Sequence, residues 1–370
     1  FDLSSFINSF ILPALNSGHQ ILQADAIKFL VDYRNVMEPQ IIVAIFPLII
    51  SMLVDQDNCT TLYAAYFIDR ILLCKQFEAA AVVFQQVDVG RVIQRLINMF
   101  YIDGVANVIA PRCLLQIIVK CGPALQPHIA VVVQTCVQKL TEIARDPKNP
   151  SFNHDLFEII VASINYVKVP VQQIEQGVLG LFNKILTENV TDFIPYVFQI
   201  IGCFLLNYPD EIVQTSPDTF YAQQFSFFLQ PDQWLSKGNI PALSLLVRAY
   251  CAKLPQLVIA NIEPVMLICQ HLLQTPTNHQ YAFMIFSSML AFLDHQYIFT
   301  ILPQIYNEII NQLANPELKK YSQGFALFLS DACYFLEPDN ALKLLGDNLQ
   351  PAVEKWAESL PLIHGRAKVG

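Results

Sequence analysis

Charged residues are scarce in this chain: Asp, Glu, Lys and Arg make up 14% of its 370 residues, against 54% hydrophobic residues and a mean hydropathy of +0.41. A bundle in which every helix exposes half of its surface to water needs more charge than this. Gly/Ser tracts, charge blocks and low-complexity runs are also absent, and a single core stops growing at roughly 250–300 residues. We therefore predict one continuous array across residues 1–370, in which most elements have neighbours on both sides.

Hydrophobic runs of membrane-spanning length are missing too. Ile41–Val54 carries no charge, but it is shorter than the ~20 residues that a transmembrane helix needs, and it contains Pro47. No cationic and apolar leader opens the chain. These observations predict no membrane insertion and no secretion. Because the chain begins with Phe1 instead of Met and ends without a recognisable tail, we expect it to be a piece of a longer protein.

Paired cysteines and catalytic motifs are lacking. The nine cysteines are isolated, without CxxC or HxxxH spacing, which disfavours both a disulfide framework and a metal site. The closest approach is Cys269 with His271, and we expect the cysteines to be reduced core residues. No GxGxxG, HExxH or GxSxG motif occurs, so we predict that the chain is not an enzyme and uses no cofactor. With 22 basic against 31 acidic residues, a net charge of −9 predicts no nucleic-acid binding.

What the chain does contain is an apolar segment opened by a proline, which recurs at a spacing typical of helical repeats of about forty residues. Proline is tolerated in the first turn of a helix, where its missing N–H has no partner, so each segment predicts the start of the first helix of a pair. The pattern predicts an all-α fold, an α-solenoid of about nine antiparallel helix pairs with negligible strand. The segments are ILPAL (Ile11–Leu15), IFPLII (Ile45–Ile50), LQPHIAVVV (Leu125–Val133), IEPVMLIC (Ile262–Cys269), ILPQIYNEII (Ile301–Ile310) and LQPAVEKW (Leu349–Trp356).

One histidine lies beside acidic residues. In FNHDLFE, His154 is next to Asp155 and one helical turn from Glu158, an arrangement that could tune a general base. The favoured interpretation is structural: Ser151 or Asn153 caps a helix, and the two acids complement its positive end.

Polar stripes on the second helices of the pairs are the candidate partner-binding residues. Residues spaced three and four apart share one helix face. In a solenoid, equivalent helices of successive repeats line up on one side, so modest stripes add into a long surface that can hold another protein. Taken one at a time, these residues are equally compatible with a solvated face. The candidates are Asp25, Lys28 and Asp32; Arg112, Gln116 and Lys120; Ser244 and Arg248; and Lys319 and Gln323.

Six segments, in order over nearly the whole chain, carry a family resemblance. They are similar to segments of the importin-α re-exporters, a family within the importin-β superfamily of karyopherins, and correspond to its C-terminal half, ending before the last repeats. The segments are ILQADAIKFLVDYRN (Ile21–Asn35), LYAAYFIDRIL (Leu62–Leu72), NPSFNHDLFE (Asn149–Glu158), FIPYVFQII (Phe193–Ile201), FLQPDQWLSKGNIPAL (Phe228–Leu243) and TNHQYAFMIFSSML (Thr277–Leu290).

The resemblance implies HEAT repeats and a nuclear transport function. Members of this family bind importin-α together with the GTP form of the GTPase Ran in the nucleus. They pass through the pore, where nuclear pore proteins are partners, and they release importin-α in the cytoplasm when Ran hydrolyses its nucleotide. The resemblance therefore implies shuttling between nucleus and cytoplasm. The repeats that supply the family's main Ran contact precede the matched part.

Two alternatives remain open at this point. The first is a generic HEAT scaffold or adaptor in another complex, such as a phosphatase subunit or a coat adaptor, and an enzyme is a distant third. Because a cut solenoid exposes apolar repeat faces, we also expect the ends to fray or to associate end to end.

Overall fold

A computed structural model describes residues 2–55, 59–75, 83, 84, 86–167, 170–207, 220–275, 277–301, 309, 319–336, 339, 340 and 349–359. The chain divides into two compact units, Phe1–Phe193 and Ile194–Gly370.

The first unit is built of helices, with one very short hairpin among its described residues. The helices are α1 (Leu3–Leu15, with a π turn at Ile7–Ile11), α2 (Gln20–Asp32), α3 (Pro39–Asp55), α4 (Cys59–Leu72), α5 (Val89–Asn98), α6 (Ile109–Cys121), α7 (Ile129–Ile143), α8 (Pro150–Tyr166) and α9 (Val171–Thr187). The segments Arg34–Val36 and Gly122–His128 are 3₁₀ helices.

These helices pack in two layers. The even-numbered helices α2, α4, α6 and α8 each contact the next one along the chain, and together they form one layer. The odd-numbered helices lie on the other side, where α1 packs on α2, α3 on α4, α5 on α6 and α7 on α8. Each even-numbered helix is therefore the second member of a pair. This arrangement confirms the predicted all-α fold of stacked helix pairs.

Hydrogen bonds between neighbouring repeats show the repeat length directly. Arg95 Nε donates to Leu53 O, Arg112 Nη2 to Asp69 Oδ2, and Lys184 Nζ to Thr141 O, over separations of 42, 43 and 43 residues. Contacts at nearly constant separation arise because each repeat places its side chains against the repeat before it.

The hairpin pairs Tyr101–Ile102 with Val105–Ala106 in antiparallel register. Its turn residues, Asp103 and Gly104, have φ values of 51° and 78°. Positive φ at both central residues is the requirement of a type I′ turn, which Gly satisfies at no steric cost. Four strand residues in the described part of the chain agree with the prediction of negligible strand.

The second unit repeats the two-layer arrangement. Its described helices are α10 (Ile194–Asn207), α11 (Phe220–Phe228), α12 (Pro231–Leu235), α13 (Asn239–Lys253), α14 (Pro255–Ala260), α15 (Ile262–Gln274), α16 (His279–Phe292), α17 (His295–Ile301), α18 (Lys319–Phe335) and α19 (Leu349–Ser359). Helices α10, α13, α16 and α18 contact one another in that order, and α12, α15 and α19 pack on α13, α16 and α18.

Three of the proline segments begin a helix as predicted. Pro264 and Pro351 are the third residues of α15 and α19, and Pro127 closes the 3₁₀ turn from which α7 starts. In the first turn the missing N–H leaves no backbone carbonyl without a partner. Pro303 belongs to residues 302–308, which lie outside the described part of the chain.

Two of the proline predictions are wrong. Pro47 lies in the middle of α3, which already begins at Pro39, and Pro13 is near the end of α1. An interior proline costs a helix about 3 kcal/mol. The fully buried Ile42, Phe46 and Ile49 of α3 offset that cost by packing. In α1 the π turn at Ile7–Ile11 ends two residues before Pro13, where the usual ladder of hydrogen bonds is interrupted.

The stretch Ile109–Ile143 has the length and hydropathy of a membrane span. It is not one straight helix, because the 3₁₀ segment Gly122–His128 separates α6 from α7 and the two helices lie in different layers. Each is shorter than the ~20 residues that a span needs. Length and composition alone are therefore weak evidence for a membrane segment here.

The cysteines are all free thiols, but they are not all core residues. Burial raises the pKa of the thiols of Cys113, Cys136 and Cys269 well above the ordinary value, and that of Cys251 to about 12, so these four are unreactive. The expectation of core cysteines is wrong for two positions. Exposed cysteines are Cys59 and Cys333, and the half-buried ones are Cys74, Cys121 and Cys203.

Candidate partner-binding surface

The first predicted stripe lies on the outer side of α2. Asp25, Lys28 and Asp32 are all exposed, and the buried Ile27 and Leu30 point to the core, as the helical spacing requires. Neighbouring apolar side chains on this helix are also exposed, at 64% for Ile21 and 48% for Leu22. The stripe is therefore part of a surface with both charged and apolar groups.

The second predicted stripe lies on α6 and is only partly exposed. Lys120 is exposed, whereas Arg112 and Gln116 are half-buried. Arg112 Nη2 donates to Asp69 Oδ2 on α4 at 3.1 Å, and Arg70 Nε lies 3.2 Å from the same oxygen. Asp69 is 2% exposed. Arg112 thus holds two second helices together and is not an ordinary surface cation.

The electrostatics of Asp69 follow from its position. Burial raises the pKa of its carboxyl group, and the guanidinium groups of Arg112 and Arg70 oppose that shift. One buried negative charge is shared between two cations. Asp69, Arg70 and Arg112 together therefore present a net positive charge at the surface.

A second buried carboxyl group continues this line of charges onto α8. Asp155 is buried, and burial raises its pKa to about 6, against the opposing charges of His154 and Arg112. The negative charges of Asp69 and Glu158 raise the pKa further. Charged groups therefore run across α4, α6 and α8, three consecutive members of the layer.

The predicted capping of α8 is wrong. The residue before the helix is Asn149, which has a left-handed backbone with φ of 55° and makes no side-chain capping bond. Ser151 is exposed within the first turn, and Asn153 is buried, where its Nδ2 donates to Lys148 O at 2.8 Å. Asp155 lies too deep to complement the helix end from solvent. Tertiary burial determines the roles of these residues, which local sequence does not show.

A cluster on α4 was missed in the sequence. Tyr63 is exposed, and the guanidinium carbon of Arg70 lies 5.1 Å from the centre of the Tyr66 ring. Such a cation–π contact orients the guanidinium group. The signal was present in LYAAYFIDRIL, where Tyr63, Tyr66 and Arg70 are spaced three and four apart.

In the second unit, the predicted stripe on α13 needs correction. Ser244 is fully buried, and its hydroxyl donates to Ile240 O at 2.8 Å, so it does not face solvent. Arg248 is exposed, four residues further on. The hydrogen bond within its own helix satisfies the hydroxyl group without water. Ser244 can therefore be buried in the core.

The last predicted stripe lies at the start of α18. Gln323 is half-buried in the first turns of that helix. Lys319 is the first residue of the helix, and its side chain lies outside the described part of the structure.

Within each unit, the predicted residues belong to one layer. In the first unit they lie on α2 and α6, with α4 between them; in the second they lie on α13 and α18, with α16 between them. No group of three His, Cys, Asp or Glu side chains among the described residues is placed to hold a metal ion. The geometry fits a surface for macromolecular contacts, made of side chains from successive helices.

Known structures identify the class of fold. A structure of the exportin Cse1 in its cargo-free, cytoplasmic state superimposes with a TM-score of 0.74 at 22% sequence identity, covering 100% of this chain and 40% of that one. A structure of Kap95p with RanGDP superimposes with a TM-score of 0.59 at 12% identity, covering 96% of this chain and 49% of that one. The fold is that of the HEAT-repeat karyopherins.

Sequence comparison is more specific. The family model described as "CAS/CSE protein, C-terminus" matches residues 69–356, and the model "Cse1" matches residues 1–68. The chain belongs to the CAS/CSE family.

Two relatives show how much of a family member this chain represents. Exportin-2 of Xenopus laevis is 27% identical over 366 residues, which cover 95% of this chain and 37% of the relative. The importin-alpha re-exporter of Schizosaccharomyces pombe is 27% identical over 370 residues, which cover 92% of this chain and 37% of the relative. The chain therefore spans a little more than a third of these relatives.

Proposed function

We propose that this chain is part of a nuclear transport receptor that carries importin-α from nucleus to cytoplasm in a complex with Ran-GTP. Membership of the CAS/CSE family over nearly the whole chain is the observation that carries the proposal. The relatives are named exportin-2 and importin-alpha re-exporter. On this proposal the protein shuttles between the two compartments, acts by binding and not by catalysis, and continues its helix pairs as one array.

The exposed side of the second helices supports this role. Asp25 and Asp32 present acidic groups, and Lys28 and Lys120 present basic groups. Charged groups across an interface determine association rate and specificity more than raw affinity. The acidic character of the chain, with a net charge of −9, suits a basic segment of importin-α. We propose these four residues, with Arg112, Gln116, Arg248, Lys319 and Gln323, as contacts.

Charge reversal in the full-length parent protein tests the proposal. Two double variants, Asp25→Lys with Asp32→Lys and Lys28→Glu with Lys120→Glu, change exposed side chains, so melting temperatures should hardly move. Binding of importin-α is measured by calorimetry with and without Ran locked in its GTP form. We expect binding to require Ran-GTP and at least one double variant to weaken it about tenfold, or ~1.4 kcal/mol.

The matched control is Arg145→Glu with Lys148→Glu. It reverses two positive charges, as Lys28→Glu with Lys120→Glu does, but in the exposed connection between α7 and α8. It should bind as the unmodified protein does. Unchanged affinity in both test variants would remove the second-helix side as the binding surface. Tight binding without Ran-GTP would favour a generic scaffold.

The isolated chain should bind weakly at best. It spans 37% of its relatives, and linked contacts lose more than their share of affinity when some of them are removed. A comparison of this chain with the full-length parent in the same calorimetric assay measures the loss.

A further inference from the structure

Two neighbouring second helices of the first unit, α4 and α6, carry an excess of positive charge. Within Cys59–Lys75 and Ile109–Cys121 the only acidic residue is Asp69, and it is buried. The whole chain has a net charge of −9, so this surface is opposite in sign to the protein around it. Its four basic residues, here called the basic strip, are Arg70 and Lys75 from α4 and the segment after it, and Arg112 and Lys120 from α6.

The two arginines of the basic strip are held in place by fixed groups. Arg70 Nε and Arg112 Nη2 lie 3.2 and 3.1 Å from the same oxygen, Asp69 Oδ2, and the guanidinium carbon of Arg70 lies 5.1 Å from the centre of the Tyr66 ring. The arginine side chains remain 28% and 37% exposed. Each guanidinium group has five N–H donors, more in total than one carboxylate can accept. Donors are therefore left over at the exposed side of the strip.

The two lysines extend the positive charge toward the carboxyl ends of α4 and α6. Both are exposed, and neither forms an ion pair with any residue that the structure describes. Arg112 bonds to a residue 43 positions earlier, and the same offset places Lys120 within two positions of the level of Lys75. On α6, Arg112 and Lys120 are two turns apart, or ~12 Å at 1.5 Å per residue. The strip therefore presents a pair of arginines and, further along, a pair of lysines.

Aromatic side chains accompany these cations. Tyr63 and Tyr66 are spaced three and four residues from each other and from Arg70, so the three share one face of α4. Tyr63 is 37% exposed and Tyr66 is half-buried. Tyrosine and arginine are enriched among the residues that dominate the energy of protein interfaces. A face that only keeps the chain in solution does not need them.

Acidic side chains limit the size of the ligand. The buried Asp69 and Asp155 face the strip, so its four cations exceed these carboxylates by two. Beyond the strip, α2 exposes Asp25 and Asp32, and α8 carries the half-buried Glu158. A long polyanion such as a nucleic acid has phosphates that continue past the strip and meet these acids. A ligand whose negative charge is confined to the width of two helices avoids them.

We propose that the basic strip binds a short acidic segment of a partner protein. Carboxylate groups of the segment pair with the two arginines and the two lysines, and an apolar side chain beside them packs on Tyr63. Fixed guanidinium groups favour such pairs, because their planar donors match the geometry of a carboxylate. The inference goes beyond the proposed function, because the strip binds such a segment whether or not Ran-GTP is present.

Fluorescence anisotropy with this chain and labelled peptides of ~12 residues, long enough to pass both pairs of cations at 3.3 Å per residue, measures the binding. The acidic peptide has four glutamates around one leucine among glycines and serines, and the control peptide has glutamine at each glutamate position. We expect the acidic peptide to bind at least tenfold more tightly, and to lose affinity between ~50 and ~200 mM salt. Equal binding of the two peptides would overturn the proposal.

Lys75→Glu with Lys120→Glu tests the location. Neither lysine is part of an ion pair among the described residues, so the melting temperature should hardly change, whereas the acidic peptide should bind at least tenfold more weakly. Arg145→Glu with Lys148→Glu makes the same change of charge in the exposed connection between α7 and α8, and it should weaken binding less than twofold. Equal weakening by both variants would show that the strip is not the site.

Tyr63→Ala tests the apolar contact. It should weaken the leucine-containing acidic peptide about threefold and leave a peptide with alanine in place of the leucine unchanged. Tyr334→Ala, which removes an 82% exposed tyrosine from the second unit, should change neither. Equal losses with both peptides would contradict the contact that the proposal assigns to Tyr63.

A labelled oligouridylate of ~12 nucleotides tests the other kind of polyanion. At the same salt concentration it should bind at least tenfold more weakly than the acidic peptide, because the acids beyond the strip repel its phosphates. Binding as tight as that of the peptide would overturn the proposal in favour of a nucleic acid. Importin-α takes no part in these measurements, so their failure leaves the proposed transport function standing.

Discussion

Asp69 shows how much one side chain contributes to the stacking of helices. Its carboxylate is buried, yet it accepts from Arg112 on the next second helix and lies against Arg70 on its own. Removing one partner of a buried pair costs more than the pair itself contributes, since the remaining charges lose their compensation. Both arginine side chains are partly exposed, and water can replace part of what is lost.

Asp69→Ala should lower the free energy of unfolding of the first unit by about 1–3 kcal/mol, because the half-buried guanidinium group of Arg112 loses its acceptor. Urea denaturation followed by circular dichroism measures it. Asp55→Ala is the matched control, because the Asp55–Arg91 pair is exposed and such pairs contribute about 0–1 kcal/mol. Equal losses in the two variants would show that Asp69 is not a buried structural charge.

Asp155 makes stability depend on pH. Its folded pKa of about 6 lies above the ~3.9 of an unfolded Asp, so the folded chain binds more protons between these values. The stabilisation from the protonated form is complete below the pKa that Asp155 has in the unfolded chain. It is lost as the pH rises through the pKa that Asp155 has in the folded chain.

Asp155→Asn should flatten the fall of stability between pH 4 and pH 6.5 by about 1–2 kcal/mol, given that one pKa unit corresponds to 1.36 kcal/mol. Denaturation midpoints at a series of pH values test this. Asp25→Asn, on the exposed side of α2, should leave the slope as it is. A slope that is the same in the Asp155 variant and the unmodified chain would contradict the assignment.

At the scale of helices, close approach depends on single glycines. Gly324 allows α18 to contact the Phe283 ring of α16, whereas a Cβ on Gly177 of α9 would meet nothing within 4 Å. The same substitution should therefore have opposite effects at the two positions.

Gly324→Ala should destabilise the second unit by about 1–3 kcal/mol, because an added methyl group forces well-packed helices apart. Gly177→Ala should stabilise the first unit by about 0.5–1 kcal/mol through better helix propensity. Hydrogen exchange separates these effects, with faster exchange in α16 and α18 for the first variant only. Unchanged hydrogen exchange in α16 and α18 of the Gly324→Ala variant would contradict the close packing at this position.

At the scale of the whole molecule, apolar side chains are exposed near both ends of the described chain. Phe10 of α1 is 62% exposed and Val353 of α19 is 44% exposed. The terminal repeats of a solenoid need a polar outer face, and these exposed apolar side chains interrupt it.

We expect α1 and α19 to exchange amide hydrogens faster than α4 and α13, or the chain to associate as its concentration rises. Hydrogen exchange and sedimentation at several concentrations measure the two outcomes. If association occurs, Phe10→Glu or Val353→Glu should weaken it, and Val131→Glu, an exposed change on α7, should not. Slow exchange at both ends in a strictly monomeric chain would refute this expectation.

The sequence alone determined the fold class, the family and the exposed face of α2. Helical periodicity is a local property: α2 spans 13 residues, and within it the exposed positions of Asp25, Lys28 and Asp32 follow from 3.6 residues per turn. The six collinear segments likewise indicated the family without any knowledge of contacts.

The tertiary structure alone decided which polar groups are buried and which of them meet. Pro47 continues a helix because buried neighbours offset its cost, and Ser244 leaves the predicted surface because the core accepts a hydroxyl that bonds to its own helix. Arg112 pairs with Asp69, which is 43 residues away in sequence. Gly324 of α18 packs against Phe283 of α16. Such contacts are set by how helices stack, and a local pattern of residues holds no information about the distance between two helices.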